Sequence, residues 1–352
     1  MAPVWRDATP SPASAAVTLR LLLERRPAGY HDGMKRLAFQ FAQIALALLA
    51  VAGMPGCHDL RDSLASASTR ADITAVTMTG TFDNHAQVWQ SRATASPAPP
   101  HVILTIDPAT EHWSIWQVHL DTVTAMDASW AMQRTSGADG MTTLVPYRAL
   151  VAKPAYGKDF DARQWAALDA CALKAVAAKQ AFRAEANAAA CATIAPGIGS
   201  DAALLPLTVE RDGEWMRVRF YADQARGSDA RENLRRVRWF DGWAAINGAG
   251  PKASADSRDW HMNRNLRLSS EGGRATLKWR DGTASGYSIQ LETLTYHASH
   301  TPVLKLSVIE DASDQVMTYA WANPEATRIG LNLGWLQIGL DENGTPIAPA
   351  MP

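Results

Sequence analysis

The 352-residue chain contains little cysteine and has no excess of charge of either sign. It holds 3 cysteines, and 34 lysines and arginines stand against 35 aspartates and glutamates, for a formal net charge of −1. A chain without a basic excess lacks the electrostatic signature of nucleic-acid binding. The sequence also lacks a G-x-S-x-G elbow, a Walker loop, a dinucleotide-binding fingerprint and an H-E-x-x-H motif. These absences predict no nucleic-acid partner, no catalytic residue and no metal ligand.

One long apolar run lies near the start of the chain, in MKRLAFQFAQIALALLAVAGMPGC (residues 34–57). Lys35 and Arg36 precede the apolar residues 37–53, which is the layout of a secretory signal peptide. The run is near the lower limit of length for spanning a bilayer. Gly56 before Cys57 resembles the lipobox of bacterial lipoproteins, although Met54 and Pro55 stand where Leu and Ala or Ser are usual.

This resemblance implies that Cys57 is acylated and that residues 34–56 are a lipoprotein signal peptide. A plain signal peptide or an uncleaved anchor is the alternative. In the lipoprotein interpretation residues 1–33 are an upstream extension that is not native, and the polar residues 57–71 are a tether. His58 stands where an inner-membrane retention signal would have Asp. We therefore expect an outer-membrane lipoprotein on the periplasmic side, with the membrane and other envelope proteins as partners.

With Cys57 acylated, Cys171 and Cys191 remain in an oxidising compartment, where a pair of cysteines suggests a disulfide. The alanine-rich segment between them is typical of a helix. A straight helix of that length would hold its ends roughly 28 Å apart, whereas a disulfide needs Cα atoms within about 7 Å. Either the chain doubles back near residues 180–184 or the bridge does not exist. We favour the bridge.

From residue 72 onward the chain has the composition of short strands separated by turns. In HWSIWQVHL (112–120), Ser114, Trp116 and Val118 share one face of a strand, and Trp113 and Gln117 lie on the other. Many such strands predict an antiparallel sandwich or barrel. The segment DARENLRRVRWF (229–240) fits either a helix or a strand. The polar stretch near 250–258 predicts a boundary between a β-barrel domain (72–250) and a β-rich C-terminal region (251–352).

The segment MTGTFDNHAQV (78–88) resembles the opening of the CpcT/CpeT family of chromophore lyases, through Gly80, Phe82 and Gln87. HWSIWQVHL, PYRAL, ARQWAALDACAL and VRWFDGW follow in the family's order, so the resemblance covers about residues 72–247. It implies a calycin-like antiparallel β-barrel, akin to lipocalins, with a few short helices and a pocket for a tetrapyrrole. The family's polar pocket strand is replaced by ASWAMQRT, which retains only Gln133 and Arg134 in comparable places. For this reason bilin attachment is not carried over.

Aromatic residues that alternate with polar ones are the best candidates for a binding pocket. Packing in a core is the alternative for the same rings. The predicted pocket consists of Trp113, Trp116, Gln117, Arg134, Arg238, Trp239 and Asp241.

Three further groups of residues have a functional and a structural interpretation. His297 and His300 have the spacing of metal ligands, but they also fit a surface turn. Asp83 and His85 could be an acid–base pair, or Asp83 could stabilise a turn. The arginines between 231 and 238 could bind a carboxylate or phosphate, or form a solvated face.

The sequence therefore predicts a mainly β, lipid-anchored envelope protein that is a non-enzymatic small-molecule-binding or scaffolding module. It predicts no cofactor, although the ligand could be apolar or tetrapyrrole-like. A bilin-lyase-like transfer factor and a purely structural envelope partner are the alternatives.

Overall fold

The computed structural model describes residues 78–121, 125–137, 141–176, 182–254, 256–296 and 301–343. All of them belong to one compact unit, Ala67–Pro352. The predicted upstream extension, signal peptide, acylation site and tether lie outside the described residues, as do His297 and His300.

Ten antiparallel strands of the first part close into a barrel, because β1 pairs with both β2 and β11 and β4 pairs with both β3 and β5. Neighbours in the barrel follow each other along the chain, and the short β6 pairs with β5 beside β7. The strands are β1 (Gly80–Asp83), β2 (His101–Pro108), β3 (Trp113–Asp121), β4 (Met126–Ser136), β5 (Thr142–Ala149), β6 (Trp165–Ala167), β7 (Leu173–Val176), β8 (Phe182–Ala186), β9 (Pro206–Asp212), β10 (Trp215–Phe220) and β11 (Glu232–Arg236). The prediction of a mainly β, calycin-like barrel is confirmed.

Alternation along the strands explains which side chains enter the barrel. On β3, Trp116 and Val118 are buried in the core and Gln117 lies on the opposite, outer face, so the predicted division of this strand into two faces is confirmed. The indole Nε1 of Trp130 donates to the carbonyl of Leu204 at 3.1 Å, so the polar group of this buried ring has a hydrogen-bond partner. The described inward-facing side chains pack on one another, so that the barrel interior is a core. This core is formed mainly by Phe82, Val102, Leu104, Ile106, Trp116, Val118, Trp130, Met132, Leu173, Leu207, Val209, Met216, Val218, Phe220 and Leu234.

The alanine-rich segment between the two cysteines is not a long helix. Strands β7 and β8 pair antiparallel within it, and only a short helix, α2 (Ala188–Ile194), follows. Asn187 caps α2 by accepting the backbone N–H groups of Ala189 and Ala190. The doubling back brings Cys171 and Cys191 together in a disulfide with a Cα–Cα distance of 4.5 Å. The helix prediction is wrong because pairing in the barrel outweighs the helix propensity of alanine.

Two four-stranded antiparallel sheets follow the barrel, in the orders β13-β12-β19-β18 and β14-β15-β16-β17. Their strands are β12 (Trp239–Asn247), β13 (Trp260–Ser269), β14 (Glu271–Lys278), β15 (Ala284–Tyr296), β16 (Thr301–Glu310), β17 (Gln315–Ala322), β18 (Arg328–Asn332) and β19 (Leu336–Asn343). Both sheets contribute to one core, which includes Phe240 and Leu340 from the first sheet and Leu291 and Leu306 from the second. We call this part the sandwich.

The barrel gives way to the sandwich further upstream than the predicted boundary near 250–258. Strand β11 ends at Arg236 and pairs within the barrel, whereas β12 begins at Trp239 and pairs with β13 and β19. The polar stretch 250–258 therefore connects two strands of the sandwich. The segment 229–240 contains strands, so its helical interpretation is wrong.

The disulfide predicts a measurable loss of stability when it is removed. In the variant with both Cys171→Ala and Cys191→Ala, the free energy of unfolding should fall by about 3 kcal/mol, because the bridge closes a loop of 20 residues in the unfolded chain. Urea denaturation followed by tryptophan fluorescence measures it. The wild-type protein in reducing buffer should show a similar loss, and equal stability of all three samples would contradict the prediction.

Candidate functional site at the barrel–sandwich junction

The seven residues of the predicted pocket lie in separate surroundings. Trp116 is in the barrel core, whereas Trp113 packs outside the barrel against Tyr147 and Phe160, with ring centroids 4.7 and 5.2 Å away. Gln117 is on the same outer side of β3 as Trp113, and Arg134 is exposed and donates to the carbonyl of Glu111.

The other three predicted residues lie where the barrel meets the sandwich. Arg238 donates from Nε and Nη2 to the carboxylate of Glu342 at 2.9 and 2.7 Å. The guanidinium of Arg267 lies 4.9 Å from the ring of Trp239. Asp241 accepts a hydrogen bond from Asn343. These side chains join strands to one another and do not share a cavity with Trp113 or Arg134.

A helix that the sequence pattern did not indicate positions the candidate site. Helix α1 (His85–Ala93) lies between the outer wall of the barrel at β11 and the sandwich strands β14 and β15. The buried amide of Asn84, just before α1, accepts from the backbone N–H of Val102 at 2.8 Å and donates to Glu232 at 2.7 Å. The side chain of Gln87 accepts the backbone N–H of Asn233 at 2.9 Å. These bonds tie the helix to the barrel.

Asp83, at the end of β1, is held between two histidines. Its Oδ1 accepts the backbone N–H of His85 at 2.7 Å, which is the turn that the sequence suggested. The same oxygen lies 2.8 Å from Nε2 of His101, and Asp121 lies 3.7 Å from the other ring nitrogen. The hydrogen bond to Asp83 raises the pKa of His101, although burial acts against it. The side chains of Asp83 and His85 therefore do not form an acid–base pair with each other.

The ring of His85 reaches across the junction to the sandwich. Its Nε2 lies 3.3 Å from Glu292 on β15, and the other oxygen of Glu292 accepts from Lys305 on β16 at 3.1 Å. Burial alone would raise the pKa of Glu292, but the hydrogen bond from His85 and the charge of Lys305 outweigh it and lower the pKa. Gly272 has a φ of +86°, and a Cβ there would lie 2.6 Å from the imidazole of His85. A glycine is therefore required for this ring to fit.

Glu271, at the start of β14, is a fully buried carboxyl group beside these histidines. Its Oε1 lies 3.4 Å from Nη1 of Arg235 on β11, and its Oε2 has no hydrogen-bond partner. Burial raises the pKa of Glu271 to about 8, with the charge of Asp83 adding to the effect. The carboxyl group is therefore largely protonated at pH 7, and Arg235 faces a neutral acid.

A groove of about 260 Å³ opens beside this buried cluster. Trp215 and Arg217 alternate with the buried Met216 and Val218 on β10 and so face out of the barrel into the groove. The guanidinium of Arg235 lies 4.6 Å from the ring of Trp215. We call this the junction groove; it is lined by Ala86, Gln87, Gln90, Trp215, Arg217, Asn233, Arg235 and Thr295.

The junction groove has a chemical character of its own. It presents two arginines, three amide side chains and one tryptophan ring, and none of its lining residues is acidic. Arg217 pairs with Glu210 at 2.7 Å at the edge. Such a surface suits a small anion that carries a flat or apolar part, since the ring offers stacking and the arginines offer charged hydrogen bonds.

A second depression of about 370 Å³ lies at one end of the sandwich, lined by Gly248, Asp259, His261, Trp279, Arg280 and Asp281. Its ion pair between Arg280 and Asp259 is largely exposed. Exposed pairs of this kind contribute little energy. The junction groove is therefore the better candidate, because its Arg235 also contacts the buried carboxyl group of Glu271.

Some functional candidates carried no signal in the sequence. Glu271 and Glu292 meet β11 and α1 only through the docking of the sandwich, and the contact between His85 and Glu292 spans 207 residues of chain. Trp215 and Arg217 could have been found, because the alternation in EWMRVRF places both on the solvent side of a strand.

Comparison of the chain with protein-family models, with curated proteins and with solved structures finds no match. In the part of the chain that the structure describes, no group of three or more His, Cys, Asp or Glu is arranged to hold a metal ion. Among the same residues no helix is both long and apolar enough to cross a bilayer.

The raised pKa of Glu271 predicts a pH-dependent stability. The folded protein keeps this proton up to about pH 8, whereas the unfolded chain loses it near the ordinary value of 4.5, so the free energy of unfolding falls as pH rises between these values. Glu271→Gln has no carboxyl group to titrate and therefore lacks this pH dependence. As pH rises between these values, the free energy of unfolding of Glu271→Gln should increase relative to that of wild type by on the order of a few kcal/mol. Urea denaturation at pH 5 and pH 8.5 measures the difference.

The control for this experiment is Glu111→Gln, which changes an exposed glutamate on a barrel loop. Its stability relative to wild type should be the same at both pH values. Contributions from His101 and Glu292 are common to all three proteins and cancel. A constant difference between Glu271→Gln and wild type would show that Glu271 titrates normally.

Proposed function

We propose that this chain is a non-enzymatic binding module of the cell envelope, which holds a small anionic ligand with a flat or apolar part in the junction groove. The observation that carries the proposal is the pair formed by Trp215 and Arg235, in which a guanidinium lies on an indole at the wall of an open groove. Because Glu271 is largely protonated at neutral pH, its carboxyl group does not neutralise the positive charge of Arg235.

The location of the ligand differs from the one that the family resemblance implied. The described interior of the barrel is occupied by packed side chains, among them Trp116 and Trp130. We therefore place the ligand on the outer wall, where α1 and β15 border the groove. A tetrapyrrole, which combines a flat ring system with carboxylates, remains within this chemical class. A bilin-lyase-like transfer role stays a prediction.

The junction groove can be tested with 1-anilinonaphthalene-8-sulfonate, an anionic aromatic dye. Arg217→Ala should weaken binding of the dye to the full-length chain by about tenfold, because a charged hydrogen bond to the sulfonate is lost. Dye fluorescence and quenching of tryptophan emission both report the affinity. Binding should also weaken as salt concentration rises.

Arg183→Ala is the matched control, since Arg183 is also on the barrel and also pairs with a glutamate, Glu185, but it does not line the junction groove. Its affinity for the dye should equal that of wild type. Equal affinities of both variants, or a dye that binds equally well to Trp215→Ala, would refute the groove as the binding site.

We further propose that Cys57 carries the lipid that holds this module on the periplasmic side of the outer membrane. Its support is the basic n-region, the apolar run and Gly56 before Cys57. Radiolabelled palmitate should label the wild-type chain, and Cys57→Ala should abolish the label. Mass spectrometry of the mature N-terminus provides the second readout. An unmodified Cys57 in the membrane-associated protein would contradict acylation.

A further inference from the structure

Strand β17 (Gln315–Ala322) lies at the edge of its sheet. It pairs with β16 on one side, and among the described residues no strand pairs with its other edge, although β18 contacts β17. An edge strand presents a row of backbone N–H and C=O groups that can pair with another strand. This strand is eight residues long, and its register against β16 shifts between Val316 and Thr318, so that Thr318 to Ala322 form its longest regular part.

Large apolar side chains are concentrated on β17. Val316, Met317, Tyr319 and Trp321 are 46, 45, 49 and 55% exposed, and they make up four of the twelve large exposed hydrophobic side chains of the described residues. The rings of Tyr319 and Trp321 stack with centroids 5.2 Å apart, and Tyr296 on β15 lies 5.6 Å from Trp321. A contiguous exposed patch of this kind marks an interaction surface.

The other edge strands of the two sheets carry charges that oppose pairing. Strand β13 contains Arg264 and Arg267, β14 contains Arg274 and Lys278, and β18 contains Arg328. In β17, with the sequence QVMTYAWA, there is no charged residue, no proline and no glycine. Edge strands are normally protected by such features. Strand β17 does have a register shift against β16 between Val316 and Thr318, but among the edge strands of the two sheets it alone carries no charge, which indicates that it is used for pairing.

We propose that β17 is a dimerisation edge, on which the same strand of a second copy of this chain pairs antiparallel about a two-fold axis. The partner must offer a free edge and an uncharged apolar row, and β17 itself offers both. In a two-fold arrangement the exposed apolar side chains of the two β17 strands lie side by side on the same face of the sheet. Each row then packs against the other along one side. The sheet β14-β15-β16-β17 of one copy then continues into the same sheet of the other copy, which gives one sheet of about eight strands. This inference is independent of the junction groove.

The mass of the full-length chain, purified in detergent and measured by analytical ultracentrifugation over a range of protein concentrations, tests the proposal. Wild type should reach twice the protein mass of the monomer. Met317→Lys should raise the dissociation constant by about tenfold or more, because the two-fold axis brings two like charges to the interface. Met262→Lys is the matched control: Met262 is also an exposed methionine, 40% accessible, on an edge strand, β13. It should dimerise like wild type.

A second readout covers the case in which Met317→Lys fails to fold. Thr318→Cys lies near the middle of β17, so antiparallel self-pairing brings it close to its own copy, and mild oxidation should give a disulfide-linked dimer. Met262→Cys should give none. A monomeric wild type at all concentrations, equal dissociation constants for the two lysine variants, or cross-linking of Thr318→Cys to a different protein would each overturn the proposal.

Discussion

The rest of the structure depends on the short connection between the barrel and the sandwich. Only Val237 and Arg238 separate the last strand of the barrel from the first strand of the sandwich. Arg238 binds Glu342 with two hydrogen bonds and also donates to the carbonyls of Pro324 and Ala326. A planar guanidinium with several fixed partners orients the chain on both sides of it. Because there is no linker, the sandwich must dock beside β1 and β11.

Ionisable groups are buried at this junction and in the barrel wall beside it, which is costly unless each finds a partner. His101 has Asp83, and Glu292 has both His85 and Lys305. Glu232, buried at the base of α1, is bound by Asn84 and Arg226. Glu271 is the exception, because its contact with Arg235 does not compensate for burial, and protonation resolves the conflict. The network makes the junction specific, since a shifted sandwich would leave these charges unpaired.

The junction also provides the groove that is proposed to bind the ligand. A calycin-like barrel is often associated with an internal cavity, yet here the inward-facing rings of Trp116 and Trp130 take up the space. Helix α1, pinned between barrel and sandwich, instead forms one wall of a groove on the barrel surface. The fold thus resembles a ligand-binding architecture while the proposed site lies outside the barrel. Architecture alone does not predict the position of a site.

The sequence by itself determined the β character, the alternation of β3 and the faces of its side chains, because a period of two residues is a local property. It also contained the pattern from which export is predicted, which lies in a short contiguous stretch. It did not determine the strands within the alanine-rich segment, where the helical tendency of alanine is overcome by pairing with β5 and β9. Only the tertiary structure decided the junction: the cluster at Glu271, the contact of His85 with Glu292 and the groove at Trp215. These arise where residues far apart in the chain lose water together, and no local pattern records which surfaces will meet.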